Sequence, residues 1–275
     1  MKIATIARAA EHSPNMSSND AAILACVTRE LIRRGAEVVH VDEGGNIPHD
    51  TDIVCHMSRS CKTLSMLEQA QEKGMTVLNA PEAVKNCSRC SVMRILESKG
   101  IPQPTFRILN SSVELEGVEF PAWIKRADGW SCHKDDICHV RNMDEAKDAI
   151  ARMKGRGIAQ YVYTAHCEGD IIKFYGVGER YFTYGYPSCE KTKFGLEKIN
   201  GAPRHFHFDA EMMRRIATEA AKSVGLEIYG GDCIIGADGS IAVIDLNDFP
   251  SFSSIREEAA AEIAECIIES RKEKI

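Results

Sequence analysis

No stretch of this 275-residue chain approaches the roughly 20 consecutive apolar residues of a membrane-spanning helix. The opening "MKIATIARAAEHS" also lacks the long apolar core of an export signal, so the sequence reads as that of a cytoplasmic protein. Nor is there an excess of positive charge. Lys and Arg total 34 against 40 Asp and Glu, a net charge of −6, which argues against general binding to nucleic acid or membrane. It leaves room for a local basic pocket that takes a small anionic ligand. There is no internal repeat and no low-complexity tract. No Gly-rich fingerprint follows the first apolar strand, which counts against a NAD-type site. Cysteine, by contrast, is not scarce, but the 11 residues are an odd number and scattered, as expected of reduced thiols. Cys87 and Cys90 form one CxxC with no second pair at zinc spacing, so they read as small residues at a helix start.

What is present is an alternation of strands and helices. "KIATIAR" (2–8), "AEVVHVD", "TDIVCHMS" and "MTVLNAP" read as strands. Between them lie a helix with Ile23, Leu24, Val27 and Leu31 on one face, capped by Ser18 or Asn19, and a second helix ending at Gly74. This pattern predicts a parallel sheet in an α/β lobe over residues 1–85. Residues 86–185 change character. A helix closed by Gly100 precedes the strands "FPAWIKRA" and "ICHVR", a helix capped by Asn142, and strands flanking "HCEG". Together they predict an antiparallel sheet carrying helices. Residues 186–275 begin with a basic, loop-like stretch (188–205). An amphipathic helix with Met213, Ile216, Ala217, Ala220 and Val224 on one side follows, then a hairpin over 228–247 and a final helix. The fold class is α/β with α+β lobes.

The hairpin carries the chemistry. Asp238-Gly239 between two apolar runs is a strong turn signal. A loop symmetric about those two residues sets Asp232 directly across from Asp245, and strand alternation puts Asn247 on the face of Asp245, with Asp248 on the other. Like charges directly opposed destabilise a sheet. A divalent cation removes the conflict, and an all-oxygen donor set suits magnesium completed by water and phosphate. Lys125 stands mid-strand between apolar residues in "AWIKRADGW", where an ammonium needs a partner such as a phosphate oxygen, and Gly129 permits close backbone approach.

Hairpin, lysine and loop together resemble the ATP-grasp superfamily, over residues 80–270 in the expected order with 1–80 as its pre-grasp lobe. The resemblance implies ATP held between two antiparallel-sheet lobes, with Asp232, Asp245 and Asn247 on magnesium. It also implies Lys125 on the ATP phosphates, and a hinge starting at Gln160 that holds adenine. Most members are ligases that phosphorylate a carboxylate and let an amine displace the phosphate. Several stretches look closer to the inositol trisphosphate 5/6-kinase branch, which phosphorylates a hydroxyl. "HCEGDIIKFYGVGERY" is similar to its motif and makes Lys173 a catalytic cation. "IKRADGWSCHKDDI" places His133 as the second, and "CSRCSVMRILESKGIP" makes Arg89 a phosphate ligand. His166 is displaced from the matching histidine by a turn two residues longer. The paired lysines usual in that branch near the chain start are missing. Arg8, Arg59 and Lys62 near the strand ends, and Lys191, Lys193, Lys198 and Arg204, are candidates for a basic pocket. The expected activity is an ATP- and magnesium-dependent kinase acting on a phosphorylated polyol, with a carboxylate–amine ligase as the alternative.

Overall fold

The computed structural model describes residues 1–187 and 195–270. It begins with β1 (Lys2–Ile6), α1 (Ser17–Arg33), β2 (Glu37–His40), β3 (Ile53–His56), α2 (Cys61–Glu72), β4 (Thr76–Leu78) and α3 (Pro81–Asn86). The four strands are parallel in the order β2-β1-β3-β4. Ile23, Leu24, Val27 and Leu31 are all buried, as their spacing predicts. The start of α1 differs. Ser18 and Asn19 lie inside its first turn, and no side chain caps it.

The second group is α4 (Arg89–Ser98), β5 (Phe106–Leu109), β6 (Ala122–Arg126), β7 (Ile137–Val140), α5 (Met143–Gly155) and β8 (Tyr161–Ala165). Its strands form an antiparallel sheet, β5-β8-β6-β7. Asn142 does cap α5, its side chain accepting from the Glu145 N–H at 3.0 Å. Ala146, Ala149, Ile150 and Met153 of α5 share a core with Ala122 and Ile124 of β6. That leaves the alternate β6 residues, Trp123 and Lys125, for the opposite face.

The third group is β9 (Asp170–Val177), β10 (Tyr181–Gly185), α6 (Ala210–Val224), β11 (Ile228–Ile235), β12 (Ile241–Asp248) and α7 (Arg256–Glu269). Here the structure departs from the sequence reading. Strands β9 and β10, expected in the middle lobe, pair with the hairpin in the order β10-β9-β11-β12. The reason is burial: Ile172 and Phe174 of β9 share an apolar cluster with Met213, Ala217 and Cys233. Two neighbouring glycines make this pairing close. A Cβ on Gly231 would lie 2.3 Å from the Asp245 carbonyl and 2.5 Å from the Phe174 ring.

The hairpin sets Asp232 opposite Asp245, as expected, but for a reason the sequence does not show. The turn is closed by Gly236 N–H donating to the Ser240 carbonyl at 2.9 Å, so the tip is one residue out of the expected register. A bulge at Ile244 then adds one residue on β12 and restores it.

The last group is joined to the first by apolar packing, by a buried amide and by a buried ion pair. Helix α7 lays Ala260, Ile263, Ala264 and Ile267 into one core with Ile23, Val27 and Leu31 of α1. The buried Asn79 side chain accepts from the N–H of Glu227 and of Ile228 at 2.9 and 2.8 Å, and donates to the Ile228 carbonyl at 2.7 Å. Asp248, 1% exposed, accepts from Arg59 Nε at 2.9 Å and from Arg8 Nη2 at 3.0 Å. No described helix is long and apolar enough to cross a membrane. Removing one partner of a buried ion pair strands the others, so Asp248→Ala is expected to lower stability by about 3–5 kcal/mol in urea unfolding. A loss below 1 kcal/mol would show that the two arginines do not depend on it.

Candidate active site

A cleft of about 810 Å³ opens among the three sheets, lined by Arg8 and Arg59, by Lys125 and Thr164, and by Lys173, Asp232, Asp245 and Asn247. Lys125 is 9% exposed, and no described residue forms a hydrogen bond or ion pair with its ammonium. Burial and the nearby Arg89 guanidinium push its pKa down to about 8, with Asp245 acting in the opposite sense. A buried, unpaired ammonium is costly until an anion joins it.

Arg89 opens α4 and spans to the loop after β6. It donates from Nη1 to the Arg126 carbonyl at 2.8 Å and from Nη2 to Ser131 Oγ at 3.2 Å. Burial lowers its pKa, and Asp245 offsets part of this. Gly129, Trp130 and Ser131 of that loop line the cleft.

On the facing sheet, Asp232 stands across from Asp245 on one side and from Lys173 on the other. Lys173 Nζ donates to Asp232 Oδ1 at 2.9 Å, and Asn247 Nδ2 to Asp245 Oδ2 at 2.9 Å. Opposed carboxylates beside an amide, half-buried and facing a cleft, fit a hard divalent cation such as magnesium. Among the described residues no three His, Cys, Asp or Glu side chains cluster so as to hold a metal, and the Asn247 amide is the further oxygen donor beside the two carboxylates.

Two expected site residues do not join this group. His133 is an exposed cap of the 3-10 turn Lys134–Asp136, its Nδ1 accepting from the Asp135 N–H at 3.1 Å. The buried Asp136 carboxylate holds it there. It accepts from the N–H of Cys132 and of His133 at 2.8 and 2.9 Å and pairs with Arg156, turning the loop back onto its own lobe. Gln160 precedes β8 and donates to Asn110 Oδ1 at 3.3 Å, outside the cleft lining. The cleft is lined instead by Thr164, Ala165 and Cys167, four to seven residues further on.

The basic candidates also separate. Arg8 and Arg59 line the cleft, Lys62 is exposed outside it, Lys198 is exposed, and Arg204 stacks 4.7 Å over the Phe206 ring. Lys191 and Lys193 lie outside the described residues.

No protein-family model and no curated protein matches this sequence. Solved structures do. The D-alanine–D-alanine ligase of Bacillus anthracis superposes with a TM-score of 0.74 at 15% identity, covering 100% of both chains. An ATP-grasp RimK domain protein from Sphaerobacter thermophilus gives 0.70 at 15% identity over 98% of this chain and 100% of its own. The ATP-grasp ligase PsnB, bound to a minimal precursor, gives 0.65 at 17% identity over 97% and 98%. The chain has the ATP-grasp fold.

In this ATP-grasp cleft, sequence reasoning missed the two tryptophans. Trp123 shares the cleft face of Lys125, and its Nε1 donates to His166 Nδ1 at 3.1 Å. The signal was available: strand alternation pairs position 123 with 125. Trp130 carries Arg59 4.9 Å above its ring, a contact between lobes that no local pattern announces.

Lys125 supplies a test with a definite sign. Its pKa in the fold is below that of an unfolded lysine, so its charge costs stability in full below pH 8, and the cost fades as pH rises toward 10.5. Lys125→Met is therefore expected to stabilise the ligand-free protein at pH 7, by something of the order of 2 kcal/mol, while weakening ATP binding at least tenfold. In the wild type, ATP affinity should fall as pH rises above 8, and Lys125→Arg should flatten that profile. Calorimetric titration against pH and thermal unfolding measure both. A Lys125→Met protein that binds ATP normally would remove Lys125 from the phosphate site.

Proposed function

We propose that this protein is an ATP-dependent ligase that activates a carboxylate as an acyl phosphate and passes the acyl group to an amine. The observation that carries the reading is the end-to-end superposition, first lobe included, on a ligase that by its name joins two amino acids. PsnB, also a ligase, matches over nearly the whole chain. The hydroxyl-kinase expectation gains no support from these neighbours. The placement of His133 on the loop's outer side, and of Lys62 outside the cleft, also removes part of what favoured it.

The chemistry is two substitutions. A carboxylate oxygen attacks the γ-phosphorus of ATP, the bond from that phosphorus to the β–γ bridging oxygen breaks, and ADP leaves. The amine nitrogen then attacks the acyl carbon, loses a proton, and inorganic phosphate departs. Phosphoryl transfer of this kind depends mainly on positioning and charge neutralisation. Lys125 and Arg89 hold the ATP phosphates, and Lys173, on the strand facing them, supplies positive charge at the transferring group. Asp232, Asp245 and Asn247 would hold magnesium, which when bound neutralises phosphate charge.

The test is isotopic. Protein, ATP and magnesium are mixed with pooled amino acids carrying ¹⁸O in their carboxylates, with hydroxylamine as the amine. ADP release that needs both acid and amine, with ¹⁸O appearing in inorganic phosphate and hydroxamate as product, is the expected result. An inositol phosphate that gains one stable phosphate in a parallel reaction, with no ¹⁸O transfer, would restore the kinase reading.

A further inference from the structure

Arg59 follows β3 by three residues, at the carboxyl end of the first sheet where open α/β sheets present ligand groups. Its side chain is only 5% exposed. Nε and Nη2 are both spent on Asp248 Oδ1, at 2.9 and 2.5 Å, and the Trp130 ring supports the guanidinium plane from 4.9 Å. Nη1 donates to no described residue, and Arg59 lines the cleft. A buried guanidinium held along one edge and against one face, with the third nitrogen left open, is a preorganised donor for an anion.

Arg8, beside it, is different. Its Nε donates to the Met57 carbonyl, Nη1 to Asp20, and Nη2 to Asp248 and the Phe249 carbonyl. It is a structural brace with no nitrogen to spare. Arg256, in the first turn of α7, completes the wall. It lines the cleft and donates from Nη2 to Asn19 Oδ1 at 3.3 Å, and Asn19 adjoins the Asp20 that binds Arg8. Arg8 and Arg59 thus meet on Asp248, and Arg256 is anchored on the first turn of α1 that also supplies Asp20 to Arg8.

The charge count at this end is specific. Arg8 and Arg59 balance Asp20 and Asp248, and Arg256 lines the same end without an ion pair to any described residue, as Arg89 and Lys125 do beside the loop after β6. We infer that Arg59 and Arg256 form a subsite for a single carboxylate on a substrate, one that recognition uses and the reaction does not consume. An α-amino acid or a short dicarboxylate has this chemistry. The choice of carboxylate rests on the ligase reading; the arginine geometry does not.

The experiment uses binding, not turnover. The full-length protein saturated with magnesium and the non-hydrolysable ATP analogue AMP-PNP is titrated with each of the twenty amino acids, with succinate and glutarate, and with inorganic phosphate and inositol hexakisphosphate. Thermal shift screens the set and calorimetry follows the responders. At least one carboxylate is expected to bind saturably. Arg59→Lys, which keeps a charge beside Asp248 but has no second edge, and Arg256→Gln should each weaken that binding tenfold or more, leaving AMP-PNP affinity within twofold. Arg256→Gln decides the matter if Arg59→Lys does not fold. The inference is overturned by no response to any carboxylate, by unchanged carboxylate binding in the variants, by tighter binding of either phosphate compound, or by a loss of AMP-PNP affinity in the variants. A carboxylate that binds through these arginines while no ¹⁸O transfer occurs would fail the ligase chemistry and leave the subsite standing.

Discussion

A carboxylate cut off from water must be matched by charge and hydrogen bonds from the protein, and Asp248 receives both from a sheet nearly two hundred residues away in sequence. Arg8 and Arg59 leave the ends of β1 and β3 and converge on it at the end of β12. The cleft's other features depend on that meeting. Because Asp248 alternates with Asn247, fixing it fixes the face on which Asp245 and Asn247 stand. Because Arg59 is held at the same point, the first lobe becomes one wall of the cleft instead of a separate domain. The packing of α7 on α1 and the Asn79 bonds to β11 support the same junction with apolar area and neutral hydrogen bonds.

The site itself is assembled against stability. Lys125 is buried without a hydrogen-bond or ion-pair partner among the described residues, and Asp232 faces Asp245 across the hairpin. Each arrangement is unfavourable in isolation. Lys173 relieves one of them by pairing with Asp232, and the Asn247 amide covers one oxygen of Asp245. Such local conflicts are tolerated where a ligand later resolves them. Here the two conflicts are complementary: cations on one wall of the cleft, carboxylates on the other. A metal–polyphosphate complex carries both missing charges.

Much of this was legible in the sequence because it is local. The apolar neighbours of Lys125 in mid-strand singled it out, and the 3.6-residue period gave the buried face of α1. The hairpin turn gave Asp232 opposite Asp245, although only because the Ile244 bulge cancels the displaced tip. What was not legible is long-range. Nothing in "DIIKFYG" says that β9 will leave β8 and pair with β11, since the side chains that bury Ile172 and Phe174 come from α6 and β11, much later in the chain. The loop after β6 contains both a histidine and an aspartate, and only the Asp136 bonds to the Cys132 and His133 N–H groups decide that the histidine turns outward. Asp248 was set aside as pointing away from the metal ligands. The reading of its direction was sound, but its partners come from the first lobe and could not be inferred from strand parity.

The contrast between Arg8 and Arg59 shows why counting basic residues near a site is a poor guide to its substrate. Both are nearly buried, both touch Asp248, and both line the cleft. Arg8 makes five hydrogen bonds that hold three backbone carbonyls of the N- and C-terminal groups and two carboxylates in place. An anion arriving there would have to displace one of them. Arg59 has its charge shared but one edge unused, so it can bind an anion without losing what it already holds. A cleft that looks strongly basic in sequence is thus nearly neutral at this end once its internal pairs are made. The residual charge, rather than the number of arginines, sets how many negative groups a substrate can bring.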